Sequence, residues 1–560
     1  MQAAGGFSFA ELYTPKLVTV LREHYGLRDL KADAVAGLTV AIVALPLSMA
    51  IAIASGVTPD RGLYTAIVGG FIVSAIGGSR FQIGGPAGAF IVLVYATVTA
   101  HGLDGLLLAT FLSGFILLAI GLLRLGTFIK YIPYPVTVGF TAGIAVIIFA
   151  SQIKDLLGLT LSGPEPGDLI PKLRTLGAAL PTINAAAVAL AIGTIGVILV
   201  LRRFRPQWPA FLIAVALGSL GAGFLHLPVE TIGTRFGGIP RALPLPQLPV
   251  LSLEKVIEVL PAALSFALLG AIESLLSAVV ADSMTGRRHR SNAELVAQGL
   301  ANIGSSIFGG ICVTGTIART ATNVRAGARG PVSGMLHSIF LLLFMLVAAP
   351  LAGYIPLAAL AGVLGVVAWN MAEKHAFGVL LRASRGDAVV LLATFLLVVL
   401  RDLTTGILVG FGLGALLFLH RLAQAVSVEA EQDLPDNLPG ADRTPYDPAL
   451  ATNHDVAVYR ISGAFFFGAA ASVAAALDRI GQHPKVHVID FSAVPVIDST
   501  AVATIDGFVR KTERHGARVI ITGAAPGVAR ALASHGIRAP RVAFHGSVAE
   551  ALTFTRRSSS

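Results

Sequence analysis

From about residue 33 to about residue 420 the chain is a succession of long apolar runs separated by short polar breaks. The runs lie near 33–55, 62–78, 86–100, 104–123, 134–150, 183–201, 208–226, 256–280, 294–309, 319–328, 332–350, 355–371, 387–400 and 404–420. A helix needs ~20 apolar residues to cross the ~30 Å hydrocarbon core of a bilayer, and most of the runs approach that length. They predict a polytopic helical membrane domain. Two runs, 86–100 and 319–328, are too short to cross alone, and Gly, Pro or Thr precedes each. They read as half-helices. Beyond residue 425 the texture changes. The acidic, Pro-rich stretch EAEQDLPDNLPGADRTPYDPAL over 425–451 reads as a linker. Short alternating strand and helix patterns follow: VAVYRISGAFFFG, ASVAAALDRIGQ, KVHVIDFSAV, STAVATIDGFVRKTERHG and RVIITG. Residues 452–560 therefore predict a small α/β domain, and residues 1–32 a mixed, amphipathic leader without a cleavable signal pattern.

Composition sharpens this picture. Of 560 residues 55% are hydrophobic and 13% charged, against about 25% charged in soluble chains. That deficit excludes a disordered chain, a coiled coil and an ordinary cytosolic enzyme. The single Cys312 excludes a disulfide framework, and the histidines show no metal-ligand spacing. The net charge of +10 would suggest nucleic acid in a soluble protein. Here the basic residues sit in alternate connections: Arg80; Arg124 and Lys130; Arg202, Arg203 and Arg205; Arg287, Arg288 and Arg290; Arg325 and Arg329; Lys374, Arg382 and Arg385. Such clustering marks cytoplasmic loops. The prediction is an even number of spans with both termini cytoplasmic, in the inner membrane, and no nucleic-acid partner.

Three places carry candidate chemistry. In GGSRFQIGGPAGAF, Gly84, Gly85, Pro86, Ala87 and Gly88 open the first half-helix, with small residues that leave its N-terminal N–H groups uncovered. The alternative is that these glycines only allow close packing. The second place is TGTIARTATNVRAGARG, where Thr314, Gly315 and Thr316 precede Ile317, Ala318, Arg319 and Thr320. Each half-helix is the third span of a set of seven, and paired interrupted spans point to a transport site. Two such N-termini present about half a positive charge each to an anion, and Arg319 adds a full one unless it is a loop arginine at the headgroups. The third place is Glu273, mid-span, with Ser274 beside it and Ser277 one turn on. A buried carboxylate is costly and functional by default; Arg319 or a proton would relieve it, or it pins helices together. No nucleophile–base arrangement stands out, so no enzyme activity is expected.

At these residues the chain resembles the sulfate permease (SulP) family of anion transporters. The resemblance runs through DAVAGLTVAIVALPLSMAIAIASGVTPDRGLYTAIVGG, GGSRFQIGGPAGAF, GAIESLLSAVVADSMTGRRHRSNAELVAQGLANIGSSIFGG and TGTIARTATNVRAGARGP. VHVIDFSAVPVIDSTA resembles the core of a STAS domain. The resemblance implies fourteen spans in two inverted repeats of seven, as in uracil permeases. Spans one to four and eight to eleven would form a core that carries substrate; the others would form a gate and dimer scaffold; the motion would be elevator-like. It implies an anion cradle of Leu47, Gly85, Pro86, Ala87, Gly88, Ala318, Arg319 and Thr320, with Glu273 and Ser277 coupling transport to protons, or alternatively sodium. No other cofactor is implied.

Two departures are visible. Pro46-Leu47 stands where sulfate-type members carry Pro-Gln, and Ala318 stands where many carry Ser. LPLSMAIAIASG is most similar to the C4-dicarboxylate branch. The expected function is therefore proton-coupled dicarboxylate uptake, with sulfate or bicarbonate transport, or an anion channel, as alternatives. The STAS domain would be regulatory, with a possible cytoplasmic partner. Ser499 and Thr500, after Asp498, stand where STAS domains are phosphorylated; alternatively Asp498 or Ser499 only caps the next helix.

Overall fold

Every apolar run coincides with a helix in the computed structural model, which describes residues 12–127, 133–163, 165–205, 208–430, 456–478 and 484–559. Among the described residues eight helices are long and apolar enough to cross a bilayer: Leu27–Ala54, Gly88–Leu122, Tyr134–Leu157, Ala185–Phe204, Leu253–Thr285, Val332–Ala352, Leu357–Ala383 and Leu403–Gln424. The shorter helices Ala210–Phe224, Ser291–Ile307 and Arg385–Leu400 account for three further runs. The runs 86–100 and 104–123 are one continuous element in outline, but Gly102 breaks it with φ 67 and ψ −171. Only glycine adopts that backbone without a Cβ penalty, so two runs are distinct in the structure as well.

The chain divides into two compact units, Met1–Phe411 and Gly412–Ser560. The boundary falls inside the helix Leu403–Gln424, earlier than the composition change at 425. Within the first unit two packing groups form. Val332–Ala352 lies along Leu27–Ala54, while Ile91–Leu122 packs on Leu253–Thr285 and Ser291–Ile307. Separately, Tyr134–Leu157 packs on Leu357–Met371, Arg385–Leu400 and Ala185–Phe204. The contacts inside the first group are glycine-mediated: a Cβ on Gly114 would sit 2.6 Å from the Gly299 carbonyl, and one on Gly299 2.6 Å from the Gly114 carbonyl. Without a hydrophobic drive between helices in lipid, such close backbone approach supplies the packing energy.

Part of the N-terminal segment is helical. A helix, Lys16–Arg22, docks on the first unit: Lys16 N–H donates to the Gly77 carbonyl (2.9 Å) and Tyr13 Oη to the Gly121 carbonyl (3.0 Å). Arg290 Nη1 donates to Thr14 O and Thr19 Oγ1, each at 3.0 Å, and Arg80 pairs with Glu23. Half-buried among Arg290 and Arg80, the Lys16 ammonium is pushed down to about 8, by burial first and by those two charges next. Residues 1–11 lie outside the described residues.

The first unit holds two short strands, β1 (Gly84–Gly85) and β2 (Thr314–Gly315). In the second unit five strands form one sheet. Strand β3 (Ser427–Ala430) pairs antiparallel with β4 (Val456–Ser462), and β5 (Val486–Ala493), β6 (Arg518–Thr522) and β7 (Ala543–His545) continue in parallel. The helices Phe467–Asp478, Ser499–Arg514, Pro526–Ser534 and Val548–Ser559 follow the strands in turn. Ile461, Phe465, Ile489, Phe491, Val502, Ile505 and Ile521 are buried in its core. Residues 427–430, read from sequence as linker, are strand because β4 supplies the partner; most of the remaining linker lies outside the described residues.

Candidate functional site

The two interrupted segments meet. Strand β1 (Gly84–Gly85) pairs antiparallel with β2 (Thr314–Gly315), placing Gly84 opposite Gly315 and Gly85 opposite Thr314. The crossing is secured by the Thr316 N–H, which donates to the Ile83 carbonyl at 3.0 Å, and by the Ile83 N–H, which donates to Thr320 Oγ1 at 3.1 Å. Strand β2 is held from behind by Asn302, which accepts from Val313 N–H (3.1 Å) and donates to Val313 O (2.8 Å). Each strand leads into a helix: Gly88–Phe90 continuing as Ile91–Leu122 on one side, Ile317–Arg325 on the other. No side-chain cap, at Ala87 or at Thr316, covers the N–H groups at either start, and both helix dipoles favour an anion.

Arg319 lies at this crossing and is 1% exposed. Its Nη2 donates to Ser48 Oγ at 3.0 Å and to the Pro86 carbonyl at 3.4 Å, while Nε and Nη1 have no hydrogen-bond partner. Arg319 makes no ion pair among the described residues. A buried guanidinium with unfilled donors and no carboxylate is a site for an anion. Gly85 exists to admit it: a Cβ there would lie 3.3 Å from Arg319 Cζ and closer still to Nη1. Pro86 and Ala87 are buried beside it, Gly88 is half-buried, and Ala318 is exposed.

Leu47 is buried in the main apolar cluster, one residue before Ser48. Thr320 lies at the crossing itself. Its hydroxyl oxygen accepts from Ile83 N–H and from Ser277 Oγ (3.0 Å), so it ties the two segments to the helix Leu253–Thr285.

Glu273 lies on that same helix and is 6% exposed. Gly270 and Ser277 precede and follow it at helical spacing, and both bond the second segment: Thr314 Oγ1 donates to the Gly270 carbonyl at 3.1 Å, and Ser277 to Thr320. Residues three and four apart share a face, so Glu273 faces the crossing. Among the described residues Glu273 forms no ion pair, with Arg319 or any other residue, and no side-chain hydrogen bond. The two groups are held by neighbouring elements but remain separately available. Among the described residues no cluster of three metal-ligating side chains occurs.

In the second unit, Ser499 and Thr500 are exposed at the start of the helix Ser499–Arg514. Asp498 caps that helix, accepting from Ala501 N–H at 2.8 Å, and also accepts from Phe467 N–H at 2.9 Å. The capping role is thus filled by Asp498 rather than Ser499.

Ser48 and Gln82 were not singled out from the sequence. Ser48 reads as one more small residue in an apolar run, although a hydroxyl just after Pro46 is a signal of sorts. Gln82 packs against Gly315, where a Cβ would overlap its amide.

A multi-pass helical membrane unit, two broken helices crossing over a buried arginine, and a separate five-stranded α/β unit define an anion transporter rather than an enzyme. The chain belongs to the sulfate permease family: that family's model matches residues 30–394, and the STAS domain model matches residues 447–551. It is 40% identical to the proposed sulfate transporter YvdB of Bacillus subtilis, over 89% of this chain and 92% of that one. It is 31% identical to the bicarbonate transporter BicA of a Picosynechococcus species, over 89% of each. The structure of SLC26A9 superposes with a TM-score of 0.83 at 18% identity, covering 97% of this chain and 92% of that one, and so shares its fold.

Proposed function

We propose that this chain is a cation-coupled secondary transporter that accumulates a small inorganic oxyanion of the bicarbonate or sulfate class. The observation that carries the reading is Arg319, buried between two uncapped helix starts with Nε and Nη1 unpartnered. A guanidinium and two dipole ends suit a compact oxyanion. The names of the relatives support an inorganic oxyanion over the C4-dicarboxylate suggested by residues 45–56. The main-chain pairing of β1 with β2 makes the two half-helices one body. Alternating access would then come from the first packing group moving against the second, in an elevator-like manner, with all fourteen helical runs in the membrane. The basic connections support an inner-membrane protein with cytoplasmic termini and a cytoplasmic, regulatory STAS domain, modifiable at Ser499 or Thr500. A homodimer built on the second packing group completes the proposal.

Glu273 is the coupling group. An anion bound near this buried carboxylate repels its charge, so the anion favours occupancy of Glu273 by a proton or a sodium ion, and the cation favours the anion in return. The test is uptake of labelled bicarbonate, sulfate and succinate into proteoliposomes under imposed proton or sodium gradients. Accumulation of bicarbonate or sulfate above equilibrium is expected. Flux that only dissipates gradients would make the protein a channel, and selective accumulation of succinate would restore the dicarboxylate reading. Glu273→Gln should retain anion exchange and lose gradient-driven accumulation; intact accumulation in that variant would leave Glu273 a structural residue.

A further inference from the structure

We propose that Ser48 is the positioning residue of the anion site, fixing the Arg319 guanidinium so that Nε and Nη1 are left for the substrate. This rests on the reading of Arg319 above, and goes beyond it by assigning what holds the arginine.

Ser48 is fully buried in the helix Leu27–Ala54. Its hydroxyl donates to the Ala44 carbonyl at 2.7 Å. A hydroxyl has one proton and two lone pairs, so with its proton committed to Ala44 it can only accept from a neighbour. The neighbour is Arg319 Nη2 at 3.0 Å, across 271 residues of sequence. The polarity is matched, because a guanidinium only donates. Pro46, two residues earlier, interrupts the helix ladder at this turn by lacking an N–H. The main chain of Ser48 is in turn held by Gly62, where any Cβ would fall within 3.0 Å of the Ser48 carbonyl. Ser48 thus belongs to a third element, outside both half-helices, with a fixed backbone.

The chemistry of the anchor matters as much as its position. A carboxylate at this place would hold Arg319 more tightly but cancel the charge that an anion needs. A neutral acceptor orients the guanidinium and leaves its full charge. Among the described residues Ser48 is the single side chain that hydrogen-bonds Arg319; the other acceptor is the Pro86 carbonyl.

The test uses the full chain in proteoliposomes and whichever of labelled bicarbonate or sulfate the wild type accumulates. Ser48→Ala is expected to raise KM about tenfold, the value of one hydrogen bond to a charged group, with the maximal rate within about twofold of wild type. Ser48→Thr should restore KM, since a threonine hydroxyl in a helix also bonds the carbonyl one turn back. In an Arg319→Lys background the Ser48→Ala change should add less than about twofold, because the partner geometry is already gone. A wild-type KM in Ser48→Ala overturns the proposal. So does an equal tenfold effect in both backgrounds, which marks a packing role independent of Arg319. If Ser48→Ala does not fold, an elevated KM in a folded Ser48→Thr does the same. A wild type that accumulates neither anion overturns the transport reading itself, and this inference with it.

Discussion

Replacing Gly85 by alanine tests the geometry of the cradle at its tightest point. Gly85 has no unusual φ, so alanine suits the backbone there, and any effect comes from the added methyl. That methyl would stand 3.3 Å from Arg319 Cζ and well inside contact distance of Nη1. Restoring ordinary van der Waals separation requires the guanidinium to retreat by about 1 Å. A retreat of that size takes Nη2 out of reach of Ser48 Oγ, now at 3.0 Å, and of Pro86 O, already at 3.4 Å. Losing a hydrogen bond to a charged group costs about 1.5–3 kcal/mol, which corresponds to an affinity loss of roughly 10- to 150-fold. The main-chain pairing of Gly85 with Thr314 is untouched, so the protein should still fold. The assay is anion affinity by titration calorimetry in detergent, with uptake KM in proteoliposomes alongside. Wild-type affinity in a folded Gly85→Ala protein would refute the reasoning, since Arg319 would then bind its anion from a different place or not at all.

Asp498→Ala should destabilise the start of the helix Ser499–Arg514 by about 1 kcal/mol, raising amide exchange at Ala501 and Phe467, whose N–H groups Asp498 accepts; unchanged exchange at both would contradict the cap. Docking of the helix Lys16–Arg22 should strengthen as pH rises from 7 to 9. Docking pushes Lys16 down to about 8 from the usual lysine value, so the free segment binds more protons in this range and raising pH favours the docked form. Exchange protection of residues 16–23, corrected for intrinsic rates, should rise with pH in the wild type and not in Lys16→Met. Flat protection in both proteins would show that Lys16 is not buried as described.

The membrane architecture was legible because lipid leaves few options: backbone groups must be satisfied within a helix, so each apolar run declares one. The half-helices were legible from the same rule, since Gly84–Gly88 and Thr314–Thr316 interrupt runs that would otherwise span. Local pattern says less where a partner distant in sequence decides. Residues 427–430 look like acidic linker until β4 pairs with them. The helix Leu169–Ala178 is too short and polar for a span, and its Leu176 is buried in a cluster with Leu159 and Ala179. At the site, the sequence indicated Arg319 and Glu273 through the cost of burying charge. It offered Arg319 or a proton as relief for the Glu273 charge, and among the described residues no ion pair joins Glu273 to Arg319. Ser48 gave only a faint signal, because serine is unremarkable in a membrane helix until an arginine 271 positions away is seen against it.

The crossing of β1 and β2 also bears on how such a chain can vary. The strand pairing itself is main-chain and indifferent to side-chain identity, but three side-chain positions at the crossing are not: Thr320 Oγ1 accepts from Ile83 N–H, Gly85 makes room for Arg319 and Gly315 makes room for Gln82. Each half of the molecule therefore keeps an empty position that a long polar residue from the other half fills. A side chain at either glycine displaces its occupant and costs function while the fold stands, whereas an occupant that shrinks first clears the space. Mutational paths through this point should run in one order only, the large residue changing before the small one. A pairwise substitution library would expose that order as strong epistasis between positions 85 and 319 and between 82 and 315, in a region whose backbone hydrogen bonds constrain sequence hardly at all.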